Sequence, residues 1–209
     1  MINKDRKIIT HKFICNPFPV WKCETIILGT FNPSEGSNAD YYYGRTRKKG
    51  GWSNRFWPAL SSALVERDKL KKELLPNETQ KKIDLMREFK FGCIDLIKSA
   101  NSKKMLAANI TGNGFNDKYL FNSKTDLCFF TDEIIEWINN SEFSYVNKIV
   151  ASWGKGSLLS NDFLWNIDKI QKSVNKKIDF SLFDLPAFGR PLITTNNLGE
   201  KLISAIDID

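Results

Sequence analysis

The chain has 209 residues, 42% of them hydrophobic and 26% charged, which suits one globular domain with a sizeable core. No apolar run is long enough to span a bilayer, and the polar start MINKDRKIITHKF lacks a signal-peptide core, so membrane proteins are set aside and a cytoplasmic monomer is expected. Thirty-one Lys and Arg against 24 Asp and Glu leave +7, which suits a polyanionic partner because basic side chains release condensed counterions on meeting phosphates.

Residues 1–23 read as an N-terminal arm packed through its aromatics, broken by Asn16-Pro17-Phe18-Pro19 before Val20 and Trp21. His11 is the only histidine, and its polar surroundings set a His-dependent triad aside. The first strand is expected over 24–31, where the unbroken run Ile26-Ile27-Leu28 points to burial on both faces, as in a central parallel strand. Residues 32–53 are loop-like and carry Arg45, Arg47, Lys48 and Lys49. Asn54 is placed to cap a helix entered through Phe56-Trp57-Pro58, with Leu60, Ala63 and Leu64 at helical spacing. After a charged segment around Pro76, Asn77-Glu78 restarts a helix that runs to about Glu88.

A second strand is expected over 89–97, whereas 98–125 show no clear periodicity beyond a short helical stretch at 105–110. Thr131 is placed to cap a helix through Trp137, with Asp132 and Glu133 in its first turn. A third strand, 146–153, ends in Gly154-Lys155-Gly156-Ser157 ahead of another helix. The fourth, 177–185, alternates Ile178, Phe180 and Leu182 inward and ends at Leu185-Pro186-Ala187-Phe188-Gly189-Arg190-Pro191. A last helix covers roughly 197–206. Strands alternating with helices predict a single α/β domain over 1–209, a three-layer α/β/α sandwich with a central, mostly parallel four-stranded sheet and right-handed crossovers. The polar turns at the strand ends then share one rim, which gathers Asn32, the loop after Ile97, Gly154 and the 185–191 loop.

Gly154-Lys155-Gly156-Ser157 fails as a phosphate loop, because that pattern needs a glycine where Ile149 stands. A glycine turn between strand and helix fits it better, with Lys155 still able to meet a phosphate. Cys15, Cys23, Cys93 and Cys128 form no C-x-x-C pair, which disfavours a zinc ribbon. Free buried thiols in a reducing compartment fit best, and an iron–sulfur cluster using all four stays open on spacing alone. No metal and no cofactor is expected.

The richest stretch is 24–57. Asn32, in Asn32-Pro33-Ser34, offers an uncharged amide that can hold a water or a base edge but cannot act as a strong general base. An Asx-type turn before proline explains it equally simply. Phe31, Tyr41, Tyr42, Tyr43, Trp52, Phe56 and Trp57 crowd the same stretch. Some belong to the core, Trp57 especially, while one ring at the rim can stack on a nucleobase for about 1–3 kcal/mol. The basic segment Arg45–Lys49 beside them either tracks phosphates or is a solvated loop. Phe188, between Pro186 and Gly189, is either a wedge for the gap a flipped base leaves or a ring packed down under an ordinary turn.

With these residues in view, the chain resembles the uracil-DNA glycosylase superfamily, and most nearly its mismatch-specific uracil/thymine and hypoxanthine (deoxyinosine) glycosylases. Gly29-Thr30-Phe31-Asn32-Pro33 answers the family's strand, glycine and Asn-Pro motif with one extra residue between Gly and Asn. Tyr42-Tyr43 and Asn54-Arg55-Phe56-Trp57 answer its aromatic stretch and Asn-Arg-Phe-Trp step into a helix. Phe91–Ile97 resembles its Gly-x-x-x-Asp-hydrophobic segment, and 150–154 its strand ending in glycine. The likeness spans most of 24–191 and is most specific over 29–57. The second catalytic motif departs, since Pro186-Ala187 has neither the histidine nor the serine usual there.

The resemblance implies hydrolysis of the N-glycosidic bond of a flipped deoxynucleotide in DNA, through an oxocarbenium-like transition state. Asn32 would position the attacking water. Gly29, Thr30 and Phe31 would bind the base through backbone N–H groups, Tyr43 and Phe56 would flank it, and Asn54 would read its polar edge. Ser34, Arg45, Arg47, Lys48, Lys49, Lys155 and the loop Pro186, Ala187, Phe188, Gly189 and Arg190 would meet DNA. A missing leaving-group donor typically costs on the order of 10²–10³ in rate, so slow or altered activity is expected. A non-catalytic DNA-binding relative and an enzyme acting on free nucleosides or nucleotides are the alternatives.

Overall fold

The computed structural model describes residues 5–35, 39–46, 51–52, 54–104, 107, 120, 125–152, 161–182 and 195–208. Seven strands and five helices occur among them. The strands are β1 (Arg6–Thr10), β2 (Cys23–Gly29), β3 (Phe91–Asp95), β4 (Ile97–Lys103), β5 (Thr125–Phe129), β6 (Ser144–Ala151) and β7 (Asp179–Leu182). The helices are α1 (Phe56–Glu66), α2 (Thr79–Glu88), α3 (Thr131–Asn140), α4 (Asn161–Ser173) and α5 (Thr195–Ile206).

Four strands form a parallel sheet in the order β3-β2-β6-β7. The unbroken apolar run of β2 divides between its two faces, as the period of a strand requires. Ile26 and Leu28, with Ile94, Ile149 and Ala151, face α3 and α4 through Ile134, Ile138, Ile167 and Ile170. Ile27, with Phe91, Cys93 and Val150, faces α1, α2 and α5 through Leu60, Leu64, Leu85 and Leu202. This is the expected α/β/α sandwich, with a core on each face of the sheet. On one of those faces α5 lies close against α1. A Cβ on Gly199 would stand 2.5 Å from the Ala59 carbonyl oxygen and 2.7 Å from the Ala63 Cβ.

A second sheet, antiparallel in the order β1-β4-β5, lies outside the expected four strands. Its β1 comes from the N-terminal arm, and its β4 from the stretch that showed no periodicity. The reason is plain in β5, where exposed and half-buried residues alternate and none is fully buried. The arm also packs through aromatics: Phe18 stacks on Trp137 at 5.8 Å, and Trp21 donates its indole N–H to the Phe91 carbonyl at 2.9 Å. Element ends shift by a few residues from the expected ones. β2 stops at Gly29, and the chain leaves the large sheet after Asp95 to enter β4 at Ile97. Asn54 accepts the Phe56 N–H at 2.8 Å, covering a donor at the start of α1.

The chain turns from β2 toward β3 through α1 and α2 on one face, and from β6 toward β7 through α4 on the other. The carboxyl ends of β2 and β6 therefore mark a topological switch point, the place where open α/β sheets bind their ligands.

Candidate active site

At the switch point, Gly29 ends β2 beside Asp95, its register partner at the end of β3. A Cβ on Gly29 would lie 2.1 Å from Asp95 Oδ1 and 2.8 Å from the Tyr43 hydroxyl oxygen. Two polar groups thus occupy the place where a side chain would stand. The Tyr43 hydroxyl crosses to β6 and donates to Ser152 Oγ at 2.8 Å, while the Ser152 N–H donates to the Leu28 carbonyl at 2.9 Å.

Asn32 follows three residues beyond Gly29 and is buried. Its turn is pinned by the residues that follow β1. Lys12 N–H donates to the Asn32 carbonyl at 2.7 Å, Ser34 N–H donates to the Thr10 carbonyl at 2.8 Å, and the Thr10 and Ser34 hydroxyls lie 3.1 Å apart. His11 forms an isolated antiparallel bridge with Pro33.

That pairing places His11 in the interior rather than in the polar surroundings expected for it. The histidine is 1% exposed, and its Nε2 lies 2.9 Å from Asp95 Oδ2. β1 runs antiparallel to β4, so the residue after Thr10 reaches Lys98, whose carbonyl accepts the His11 N–H at 2.9 Å. This register carries His11 to the end of β3. The rings of Phe13, Phe31, Tyr42 and Phe130 surround it at 5.7–6.0 Å. Its signal in the sequence was the β-branched run Ile8-Ile9-Thr10 just before it, which marks a strand rather than a polar tail.

The ring's tautomer follows from its partners. Phe13 N–H points to Nδ1 at 3.1 Å. A backbone N–H can only donate, so Nδ1 is the acceptor, and Nε2 carries the proton it gives to Asp95. His11 is therefore neutral and Asp95 is the acceptor. Nearby, the Tyr42 hydroxyl and the Cys93 thiol are held well above their usual ranges, by burial first and by the Asp95 charge second.

The aromatic residues take definite places. Phe56 and Trp57 are fully buried. The half-buried Tyr43 covers Phe56, with centroids 4.7 Å apart and planes at 22°. Tyr43 thus covers one face of the buried Phe56 ring. Tyr43 also has φ of 57°, in the left-handed region that bulky residues rarely enter. Trp57 donates its indole N–H to the Tyr42 carbonyl at 2.7 Å, which fixes the neighbouring backbone.

A clamp that the sequence did not suggest holds this loop down. Lys82 of α2 is fully buried and paired with Asp40, which also accepts the Thr79 hydroxyl at 2.8 Å. Lys82 lies 4.9 Å from the Trp52 ring centre.

Of the other expected site residues, Thr30 and Arg45 are half-buried and Ser34 is exposed. Arg47, Lys48, Lys49, Lys155, Pro186, Ala187, Phe188, Gly189 and Arg190 lie outside the described residues. Cys15 and Cys128 are exposed while Cys23 and Cys93 are buried, and among the described residues no three His, Cys, Asp or Glu are grouped to hold a metal ion. Among the same residues, no helix is long and apolar enough to cross a membrane.

Compared with protein-family models, curated proteins and solved structures, the chain matches none.

Proposed function

We propose that the protein is a monofunctional DNA N-glycosylase, a cytoplasmic base-excision enzyme that releases a deaminated or mismatched base of the uracil or hypoxanthine class from a flipped nucleotide. The observation that carries the reading is the grouping at the carboxyl end of β2. There Asp95 Oδ1 and the Tyr43 hydroxyl crowd Gly29, Tyr43 stacks on Phe56, and the backbone of the Asn32 turn pairs with the residues beside the buried His11. In this reading Asn32 holds the attacking water under the sugar, and the backbone N–H groups at 29–31 meet the base. Tyr43 swings off Phe56 to admit the base. Asn54, whose Oδ1 already accepts the Phe56 N–H, turns its amide donors to the base edge. The basic loop 45–49 with Lys155, and the loop 186–190, take the phosphate backbone and the gap in the stack. The reaction needs water and no cofactor.

The test is a panel of oligonucleotides carrying uracil, hypoxanthine, xanthine or a mismatch, single- and double-stranded, assayed for abasic sites in single turnover. Release of at least one base is expected, with Asn32→Ala slower by about 10²-fold or more, the cost of losing an oriented polar group at a reacting centre. No abasic site from any substrate overturns the reading. Tight, salt-dependent binding without product would identify a DNA-binding relative instead. Competition by free nucleosides without affinity for duplex would identify a nucleoside enzyme.

A further inference from the structure

Resting on the glycosylase reading, we infer that Asp95 is a catalytic residue, the carboxylate that takes the proton of the attacking water, and that His11 is a positioning residue that aims it. Hydrolysis requires a group to accept that proton, and the amide of Asn32 is too weak a base. Asp40 is committed to Lys82 and Thr79, and Glu35 to Lys7. Asp95 stands at the switch point, with Oδ2 held by the His11 Nε2–H and Oδ1 laid against Gly29, three residues before Asn32. Its side chain is 7% exposed, so it is largely withdrawn from bulk water without being sealed off.

The other direction of proton flow is closed. His11 has spent both ring nitrogens, Nδ1 on the Phe13 N–H and Nε2–H on Asp95. It cannot serve as the base without breaking one of these bonds inside a ring of aromatics. Its work is to fix which carboxylate oxygen is occupied and which is presented. In the reaction, the water oxygen bonds to the sugar C1′ as the C1′–N bond breaks. The bonding pair leaves with the base, the water proton passes to Asp95 Oδ1, and the carboxyl later returns it to solvent.

The experiment compares wild type, Asp95→Asn, His11→Gln and His11→Ala on the best substrate of the panel, measuring single-turnover rate and oligonucleotide affinity separately. Asn at 95 keeps an acceptor for the His11 N–H but no base, so the rate should fall about 10²-fold or more with affinity little changed. Gln at 11 can still donate to Asp95 and should stay within about tenfold of wild type, whereas Ala should not. If Asp95→Asn does not fold, Asp95→Ser with and without added formate carries the same test, with formate restoring rate. Wild-type-like cleavage by a folded Asp95→Asn overturns the assignment and leaves the glycosylase reading standing. Loss of all activity in a folded His11→Gln makes His11 the proton carrier and equally overturns it. A wild type that releases no base removes both.

Discussion

Gly29 lacks a side chain because two other residues already occupy its place. Asp95 Oδ1 and the Tyr43 hydroxyl both lie within 3 Å of the missing Cβ. Gly29→Ala should therefore lower stability by about 1–3 kcal/mol, the usual cost of forcing atoms into a filled site, and urea unfolding will report it. An unchanged midpoint would mean that the carboxylate and the hydroxyl yield freely. Tyr43 illustrates the opposite case, a bulky residue kept at φ of 57° by its stack on Phe56 and its bond to Ser152. At this scale the sequence was half legible. Asn32 and the aromatic run announced themselves by type and crowding. The His11–Asp95 pair did not, because 84 residues separate its members and only strand register brings them together.

Among the elements, the loop over the site is held from outside by α2. The Lys82 ammonium is fully buried, and Asp40 neutralises it. Asp40→Ala would strand that charge and should cost about 3–5 kcal/mol. Replacing both partners, Asp40→Leu with Lys82→Met, should cost less than the single change, since no charge is left buried. A double variant less stable than the single one would show that the pair contributes more than neutralisation. The elements themselves were legible in proportion to their burial. β2, β3 and β6 carry buried apolar runs and were found within a few residues. β1 and β5 have one buried residue between them, so no hydrophobic period marks them.

At the scale of the molecule, the sheet order places a switch point between β2 and β6, so the carboxyl ends of both strands share one edge of the sheet. Alternating strands and helices made the sandwich legible; the order of strands was not, because it depends on which crossover turns left and which right. A net charge of +7 should make duplex DNA binding strongly salt-dependent. Raising salt from about 50 to about 200 mM should weaken it about tenfold or more if only a few phosphates are neutralised. A flat response in a binding titration would argue against contact with the DNA backbone.

The register that joins β1 to β4 also sets an order of events during synthesis. β1 and His11 leave the ribosome well before the partners that follow them in the chain. At about 5–20 residues per second, the 84 residues between His11 and Asp95 take roughly 4–17 s to appear. Through that interval Arg6–Thr10 awaits the strand it pairs with, and Ile9, buried in the folded protein next to the exposed Ile8, has nothing to cover it. The charges at Arg6 and Lys7 flank that pair and discourage pairing with another nascent chain. β1 thus waits for β4 before it can dock, and its docking brings His11 to Asp95.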